Sequence, residues 1–230
     1  MQRLLDIIFL AFILIAMYSC KSNIYSITSG SVTDIDGNVY DIVKIGSQRW
    51  MKQNLKASHF RDGVTITEVE DSSLWTKYYK TNSQNPVWCY YNGNRANNAL
   101  YGKLYNWYAV VDSHQICPIG WHLPSDSDWI KLSKYLGGFG LAGGHMKALK
   151  LWDYSETNGA DNLSGFTAFP SGGRSSGGQF GGIGTDAAFW IYLKNNKDIG
   201  YCRYLFFNNP FLERYGYEKG VGFSVRCIGD

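Results

Sequence analysis

The clearest pattern of apolar and polar positions is a short amphipathic helix whose two ends are both marked in the sequence. Ser125 is a favoured N-cap residue, and Asp128 stands three residues later, where a capping box places its acidic side chain. Gly137 and Gly138 supply a left-handed C-cap. Apolar residues recur between these ends at helical spacing, at Trp129, Leu132 and Leu136. The sequence therefore predicts a capped helix that buries one face.

Alternating apolar and polar residues predict strands on both sides of that helix. Residues 32–51 alternate around two hairpin signals, at 36–38 and 46–47, and this predicts an antiparallel meander. Further aromatic strands are predicted at 189–192, 201–207 and 222–227.

Other segments show weaker patterns. Residues 65–86 are polar with scattered aromatic side chains, which predicts irregular surface structure. Residues 145–151 predict a short basic helical segment, and no helix signal follows it. We therefore expect the last third of the chain to consist of loops and strands.

The N-terminus has the pattern of a targeting segment. Residues 1–19 are predicted to be a signal peptide, because the apolar run that follows Arg3 is too short to span a bilayer. Ser19 before Cys20 is similar to a bacterial lipoprotein processing site, with Cys20 as the lipidated residue; the alternative is a plain signal peptide. Residues 20–31 would then be the lipidated cysteine and a polar tether, and residues 32–230 the domain. This predicts a lipid-anchored protein of the bacterial outer membrane, exposed at the cell surface.

The composition of the chain limits the classes of function to consider. Aromatic residues make up 16% of the 230 residues, which favours an aromatic-rich fold with an amphipathic surface. The net charge of +3 is too small to indicate a nucleic-acid partner. Removing Cys20 leaves an even number of cysteines in an exported protein, so disulfides are expected: Cys89, Cys117, Cys202 and Cys227. Their spacing contains no C-x-x-C motif, which argues against a zinc site.

Several blocks, in order, carry a family resemblance. They read DIDGNVYDIVKIGSQRWMKQNL, YGKLYNWYAV, CPIGWHLPSDSDW, NLSGFTAFPSGGR, Phe189-Trp190 and GFSVRC. Together they resemble the Fibrobacter succinogenes major paralogous domain family, which is similar to the formylglycine-generating enzyme and C-type lectin-like folds. The resemblance implies an α+β domain with few short helices, small twisted antiparallel sheets and much irregular loop. It also implies that the blocks holding Cys117 and Cys227 are neighbours, which favours that disulfide, with Cys89–Cys202 as the second pair; the alternative is four free, buried cysteines.

An enzyme of the formylglycine-generating type needs closely placed cysteines, and the closing GFSVRC block contains only one. Calcium-dependent lectins use acid-Pro-Asn or Gln-Pro-Asp triplets to hold the ion, and Asn208-Asn209-Pro210 lacks the carboxylate. We therefore expect no catalysis and no cofactor, although a structural calcium ion stays open. A calcium-dependent carbohydrate-binding module and a degenerate enzyme are kept as alternatives.

The segment from 190 to 217 favours a binding surface without metal. Tyrosine and asparagine are the residues that antibody loops use, because rigid rings give contact area and amides give adaptable hydrogen bonds. Trp190, Tyr204 and Phe206 fall on the alternate strand face and are expected in the core. The candidate ligand-binding residues are Tyr192, Asn195, Tyr201, Phe207, Asn208, Asn209, Phe211 and Tyr215. The sequence thus predicts an adhesin-like lipoprotein that binds a protein or glycan partner, not nucleic acid, with its lipid anchor in the membrane.

Overall fold

The computed structural model describes residues 30–80, 84–156, 158–193 and 199–230, in which short helices alternate with short strands. The described α-helices are α1 (Ser72–Lys80), α2 (Asn98–Tyr101), α3 (Trp107–Val111), α4 (Asp126–Tyr135) and α5 (Phe139–Met146), and two short 3-10 helices cover Tyr91–Gly93 and Arg95–Asn97. The described strands are β1 (Ser31–Thr33), β2 (Val39–Ile45), β3 (Gln48–Met51), β4 (Thr67–Glu68), β5 (Val87–Cys89), β6 (Leu104–Tyr105), β7 (Trp121–His122), β8 (Ser171–Arg174), β9 (Phe180–Ile183), β10 (Asp186–Ile191), β11 (Ile199–Phe206), β12 (Glu213–Glu218) and β13 (Ile228–Gly229). This composition of elements is α+β, as predicted.

Some sequence predictions lie outside the described residues. They are the signal peptide 1–19, the lipidated Cys20 with residues 21–29 of the tether, and the candidate ligand-binding residue Asn195. No helix in the described ranges combines the length and the apolar character that crossing a membrane requires.

The described strands form three sheets. The first has the order β1-β2-β3-β13-β7 and contains the predicted antiparallel meander, whose two-residue turn at Gly46 and Ser47 joins β2 to β3. In this sheet β13 lies between β3 and β7, so Ile228 pairs with both Trp50 and His122. The second sheet has the order β12-β11-β10-β8-β9, and the third β4-β5-β6.

The second sheet separates two hydrophobic clusters, because alternate residues of its central strands point to opposite faces. On one face, Phe189 of β10 packs with Trp129 and Phe166, whose ring centroids lie 5.8 Å and 5.7 Å from its own. On the other face, Trp190 packs against Trp107 and other rings of the larger cluster. Both central strands are therefore held from two sides, which makes this sheet a rigid support.

The predicted capped helix is confirmed as α4. The Ser125 side chain accepts a hydrogen bond from the backbone N–H of Asp128, and the Asp128 carboxylate accepts one from the backbone N–H of Ser125 at 2.9 Å. These two bonds satisfy donors that would otherwise be orphaned at the helix start. Trp129 and Leu132 are fully buried, so the apolar stripe faces the core as expected.

The prediction that residues 65–86 are irregular was wrong, because α1 lies within them. Asp71 caps this helix by accepting a 2.7 Å hydrogen bond from the backbone N–H of Leu74. The helix buries only Trp75, whose indole N–H donates to the carbonyl of Gly220. A helix anchored through one side chain leaves almost no periodic signal in the sequence.

The predicted helix at 145–151 is displaced toward the N-terminus, since α5 covers Phe139–Met146. Its two buried glycines allow the backbone of residues 159 and 210–211 to pack directly against it. A Cβ atom on Gly143 would lie 2.1 Å from the carbonyl oxygen of Phe211, and one on Gly144 would lie 2.4 Å from that of Gly159. The two glycines therefore lie inside the helix, at a close contact with neighbouring backbone.

Candidate functional site

The most distinctive surface of the molecule is a row of aromatic side chains on β11 and β12. The antiparallel register places Tyr204 opposite Glu213, and Cys202 opposite Tyr215. Side chains on one face of these strands therefore form a continuous set. The row consists of Tyr204, Phe206, Tyr215 and Tyr217, and neighbouring ring centroids lie 4.6 Å to 6.5 Å apart.

The exposure of the row changes across the sheet. Tyr204 is 8% exposed and packs its edge against Phe223 of the core, whereas Tyr215 on the edge strand is 39% exposed. Tyr217 is half-buried and also meets Phe223, with ring centroids 5.0 Å apart. The row is thus a part of the hydrophobic core that reaches solvent at the sheet edge.

Beside the row, an open cleft of about 540 Å³ lies between the β8–β9 hairpin and the ends of β10, β11 and β12. We call it the aromatic cleft. It is lined by Gly173, Arg174, Ser175, Ser176, Gln179, Phe180, Gly181, Gly182, Asp186, Tyr204, Tyr217, Glu218, Val221 and Phe223. This volume is within the range typical of small-molecule binding pockets.

The β8–β9 hairpin forms one wall of the aromatic cleft, and the buried side chain of Arg174 fixes its position. Its guanidinium donates to the carbonyls of Val69 at 2.6 Å, Glu70 at 2.8 Å and Gly178 at 3.1 Å. The same group lies 4.4 Å from the ring centroid of Trp75 and 4.7 Å from that of Phe180. Since three backbone carbonyls and two ring faces take up the guanidinium, Arg174 holds the wall in place.

Carboxylates stand on both sides of the cleft. The Tyr204 hydroxyl donates a 2.9 Å hydrogen bond to Oδ2 of Asp186. Burial raises the pKa of Tyr204 well above its usual value, and the Asp186 charge adds to that shift. On the opposite side, Glu218 accepts a short hydrogen bond from Ser176 of the hairpin. The cleft therefore combines an aromatic floor with acidic rims.

The other tyrosine hydroxyls of the row also stay protonated over a wide range of pH. A hydrogen bond from Tyr215 to Glu213, helped by partial burial, raises the pKa of Tyr215 to about 12. Burial likewise raises the pKa of Tyr217. At neutral pH the row consequently presents uncharged phenols.

The structure does not bring the predicted ligand-binding residues into one surface. Tyr215 belongs to the aromatic row, but Tyr201 points to the opposite face of the second sheet, where Arg214 lies over its ring. Tyr192 lies by a separate hollow of about 380 Å³, lined also by Cys117 and Trp121. The remaining described residues, Phe207, Asn208, Asn209 and Phe211, lie in the loop between β11 and β12.

That loop is fastened to α5. The ammonium group of Lys147, which is fully buried, donates to the carbonyls of Asn209 at 2.6 Å and Asn158 at 3.0 Å. The backbone N–H of Gly144 donates to the carbonyl of Pro210. Burial lowers the pKa of Lys147 to about 8. The loop thus has an anchored backbone while Phe211 keeps 45% of its side chain exposed.

One of the two predicted disulfides is confirmed. Cys117 and Cys227 are bonded, with their Cα atoms 5.9 Å apart, and the bond joins the segment before β7 to the segment before β13. The predicted Cys89–Cys202 pair is wrong, because both are free thiols. Cys89 lies on β5 in the third sheet and Cys202 on β11 in the second, in different hydrophobic clusters, and burial raises the pKa of each to about 12.

Sequence reasoning missed most of the cleft. Tyr204 was expected in the core and is buried there, yet its hydroxyl edge lines the cleft. No sequence pattern indicated that three other lining residues belong to one site, because each lies on a different short strand. They are Asp186, Phe180 and Glu218. The glycine spacing at 172–184 was the available clue: Gly172 and Gly182 have positive φ, and Gly182 allows the Asp186 side chain to pack against it.

The described residues contain no group of three or more His, Cys, Asp or Glu side chains placed to hold a metal ion. Histidine side chains instead form pairs with aspartates. The pairs are His59–Asp36, His114–Asp62, His122–Asp230 and His145–Asp161. Asp62 raises the pKa of His114 through a hydrogen bond.

Comparison with known families identifies a domain in this chain. The model of the Fibrobacter succinogenes major domain matches residues 43–229, which include all of the aromatic row and the cleft. No curated protein and no solved structure matches the chain significantly.

Proposed function

The chain belongs to the Fibrobacter succinogenes major domain family, and we propose that it is a non-catalytic binding protein that takes a macromolecular ligand at its aromatic cleft. The observation that carries the proposal is the aromatic row, where core rings on a rigid sheet reach solvent beside an open cleft. Rigid aromatic side chains give large contact area at little cost in conformational entropy, which is why they dominate binding sites.

The chemistry of the cysteines supports a binding role over the enzyme alternative. Copper-dependent chemistry of the formylglycine-generating type requires thiolates that can reach a substrate. Cys117 and Cys227 are bonded to each other, and burial keeps Cys89 and Cys202 protonated at neutral pH. The proposal therefore includes no catalytic residue.

We infer a fold of the C-type lectin-like and formylglycine-generating type for this domain. Few short helices, small antiparallel sheets and long irregular segments around the second sheet support this inference. It rests on the resemblance of the sequence blocks, and it makes no claim of calcium-dependent sugar binding.

We place the protein on the cell surface, anchored in the bacterial outer membrane through lipid on Cys20, as an adhesin-like lipoprotein. The support is the apolar N-terminal run and the Ser19-Cys20 step. In cells fed a lipid precursor, the intact chain should incorporate the label and sediment with outer membranes, whereas Cys20→Ala should do neither. If the wild-type protein stays unlabelled, the proposed lipid anchor is wrong, and the proposal about the aromatic cleft is unaffected.

A glycan and protein array tests the binding role. The purified full chain is screened in calcium and again in chelator, beside the Tyr217→Ala variant. We expect hits that persist in chelator and that Tyr217→Ala weakens by about tenfold. Hits that vanish in chelator would favour the calcium-dependent lectin alternative. Hits unchanged by Tyr217→Ala would remove the cleft as the binding site.

A further inference from the structure

We propose that the aromatic cleft receives a cationic side chain, Arg or Lys, that projects from a protein ligand. This inference rests on the proposed function and adds the chemical class of the ligand. It follows from three properties of the described cleft residues: their charge, the arrangement of their rings, and the balance of hydrogen-bond donors and acceptors.

The available charge in the cleft is negative. Asp186 and Glu218 line it, and Glu213 stands on the same face of the sheet as Tyr204. Arg174 is the basic residue among those that line it, so the lining carries two negative charges against one positive charge. The Arg174 guanidinium is turned toward three carbonyls and two rings, which leaves the two carboxylates as the charged groups with hydrogen-bonding capacity toward a ligand. The whole chain has a net charge of +3, so the acidic cleft is a local feature that complements a positive ligand.

Aromatic rings that can attract a cation line the cleft, among them Tyr204, Tyr217 and Phe223. Phe223 lies nearly perpendicular to Tyr217 and to Tyr204, with interplanar angles of 80° and 86°. In such edge-to-face pairs the edge of one ring lies on the face of the other, and the half-buried Tyr217 is the ring of the three with the most surface open to a ligand. An ammonium or guanidinium group within about 6 Å of such faces is attracted by the ring quadrupoles.

Three of the four hydroxyl groups that line the cleft donate to other groups of the protein, and Tyr217 carries the fourth. Tyr204 donates to Asp186, Ser176 donates to Glu218, and Ser175 donates to the Gln179 side chain. A carboxylate can accept about four hydrogen bonds, so Asp186 and Glu218 retain acceptor capacity toward the cleft. A ligand group rich in N–H donors matches this surplus of acceptors.

A neutral sugar matches the cleft less well. Sugar hydroxyls act as donors and acceptors together, so they need protein donors as well as carboxylates. In this cleft the strongest potential donor, the Arg174 guanidinium, is held away by the carbonyls of Val69, Glu70 and Gly178. The observations therefore favour a protein ligand with an exposed basic side chain.

Calorimetric titration of the purified full chain with N-acetyl-arginine amide tests the inference directly. N-acetyl-citrulline amide is the neutral probe of nearly the same shape, and methyl glucoside is the sugar probe. We expect the arginine probe to bind, the citrulline probe to bind at least about fivefold more weakly, and added salt to weaken the arginine probe.

Variants locate the binding. Asp186→Asn, Glu218→Gln and Tyr217→Ala should each weaken the arginine probe by about two- to fivefold. Asp41→Asn is the matched control, because it removes one exposed negative charge on β2 in the first sheet and leaves an amide oxygen to accept from Gln53. It should leave the affinity unchanged.

The two proposals can fail separately. Equal binding of citrulline, stronger binding of the sugar, or no binding of arginine up to its solubility limit would each overturn the cationic ligand. If array hits still depend on Tyr217 in that case, the cleft remains the binding site for another ligand. If array hits ignore Tyr217, the binding site itself is refuted, whatever the arginine probe does.

Discussion

The Tyr204 hydroxyl and Oδ2 of Asp186 are joined by a 2.9 Å hydrogen bond between neighbouring strands. This bond joins the core side of the aromatic row to the acidic rim of the cleft. It holds the carboxylate in place while most of the Tyr204 ring is buried.

Two variants separate the contribution of this hydrogen bond to stability from that of the Asp186 charge. Tyr204→Phe removes the donor and should lower the free energy of unfolding by about 1–3 kcal/mol, because Asp186 loses a charged hydrogen bond. Asp186→Asn keeps an oxygen acceptor and should cost less than about 1 kcal/mol. Urea unfolding of both variants measures the difference. A larger loss for Asp186→Asn would mean that its charge, rather than the bond, stabilises the fold.

The wall of the cleft depends on Arg174. Arg174→Lys keeps a positive charge but cannot reach three carbonyls with a planar group, so we expect a loss of about 2–4 kcal/mol in the free energy of unfolding. Arg95→Lys is the control, since Arg95 forms an exposed ion pair with Glu68 and should change stability by less than about 1 kcal/mol. Equal effects in the two variants would contradict the role of Arg174.

The disulfide closes a long loop, since Cys117 and Cys227 are 110 residues apart. Replacing both by Ala should lower the free energy of unfolding by about 2–5 kcal/mol. Urea unfolding with and without reductant measures this, and reductant should not destabilise the double variant further. Alkylation in denaturant without reductant, followed by peptide mapping, should label Cys89 and Cys202 but neither Cys117 nor Cys227. A Cys89–Cys202 linked peptide would contradict the structure.

Lys147 gives a pH dependence with a definite sign. Burial lowers its pKa to about 8, below the usual 10.5, so between these values the unfolded chain holds a proton that the folded protein has lost. The contribution of Lys147 to the free energy of unfolding therefore rises as the pH increases from about 8 to about 10.5. Below that window the contribution is lower by up to about 3 kcal/mol.

Urea unfolding of wild type and Lys147→Met at pH 7 and pH 10 tests that sign. The difference in unfolding free energy between the two proteins should shift in favour of wild type at the higher pH. Subtracting the variant removes the contributions of the buried cysteines and tyrosines, which both proteins share. A difference that stays constant between the two pH values would show that Lys147 titrates normally.

Local signals made α4 and the first meander predictable. Ser125 and Asp128 cap the helix through contacts within four residues. The turn between β2 and β3 depends only on the local backbone, in which Gly46 has a positive φ. The Cys117–Cys227 bond joins residues far apart in the chain, so only the family resemblance pointed to it. The helix α1 stayed hidden because a single buried residue, Trp75, anchors it.

The cleft could not be predicted because it depends on contacts between distant residues. Alternation along β11 assigned Tyr201 and Tyr204 to opposite faces of the sheet. It could not indicate which of the two faces is open to solvent at the edge of the sheet. That depends on the β8–β9 hairpin, whose position is set by the contacts of Arg174 with Val69 and Glu70, about 100 residues earlier. The glycine-rich sequence of the hairpin gave no periodic pattern to read.

The most direct measurement compares the affinity of the strongest array ligand for Tyr217→Ala and Tyr201→Ala. The two tyrosines lie on adjacent strands and point to opposite faces of the same sheet, so each controls for the loss of a half-buried ring in the other. Urea unfolding first checks that both variants fold. We predict that Tyr217→Ala weakens binding by about tenfold and that Tyr201→Ala leaves it within about twofold of wild type. The reverse order would contradict the aromatic cleft and place the ligand on the Tyr201 face.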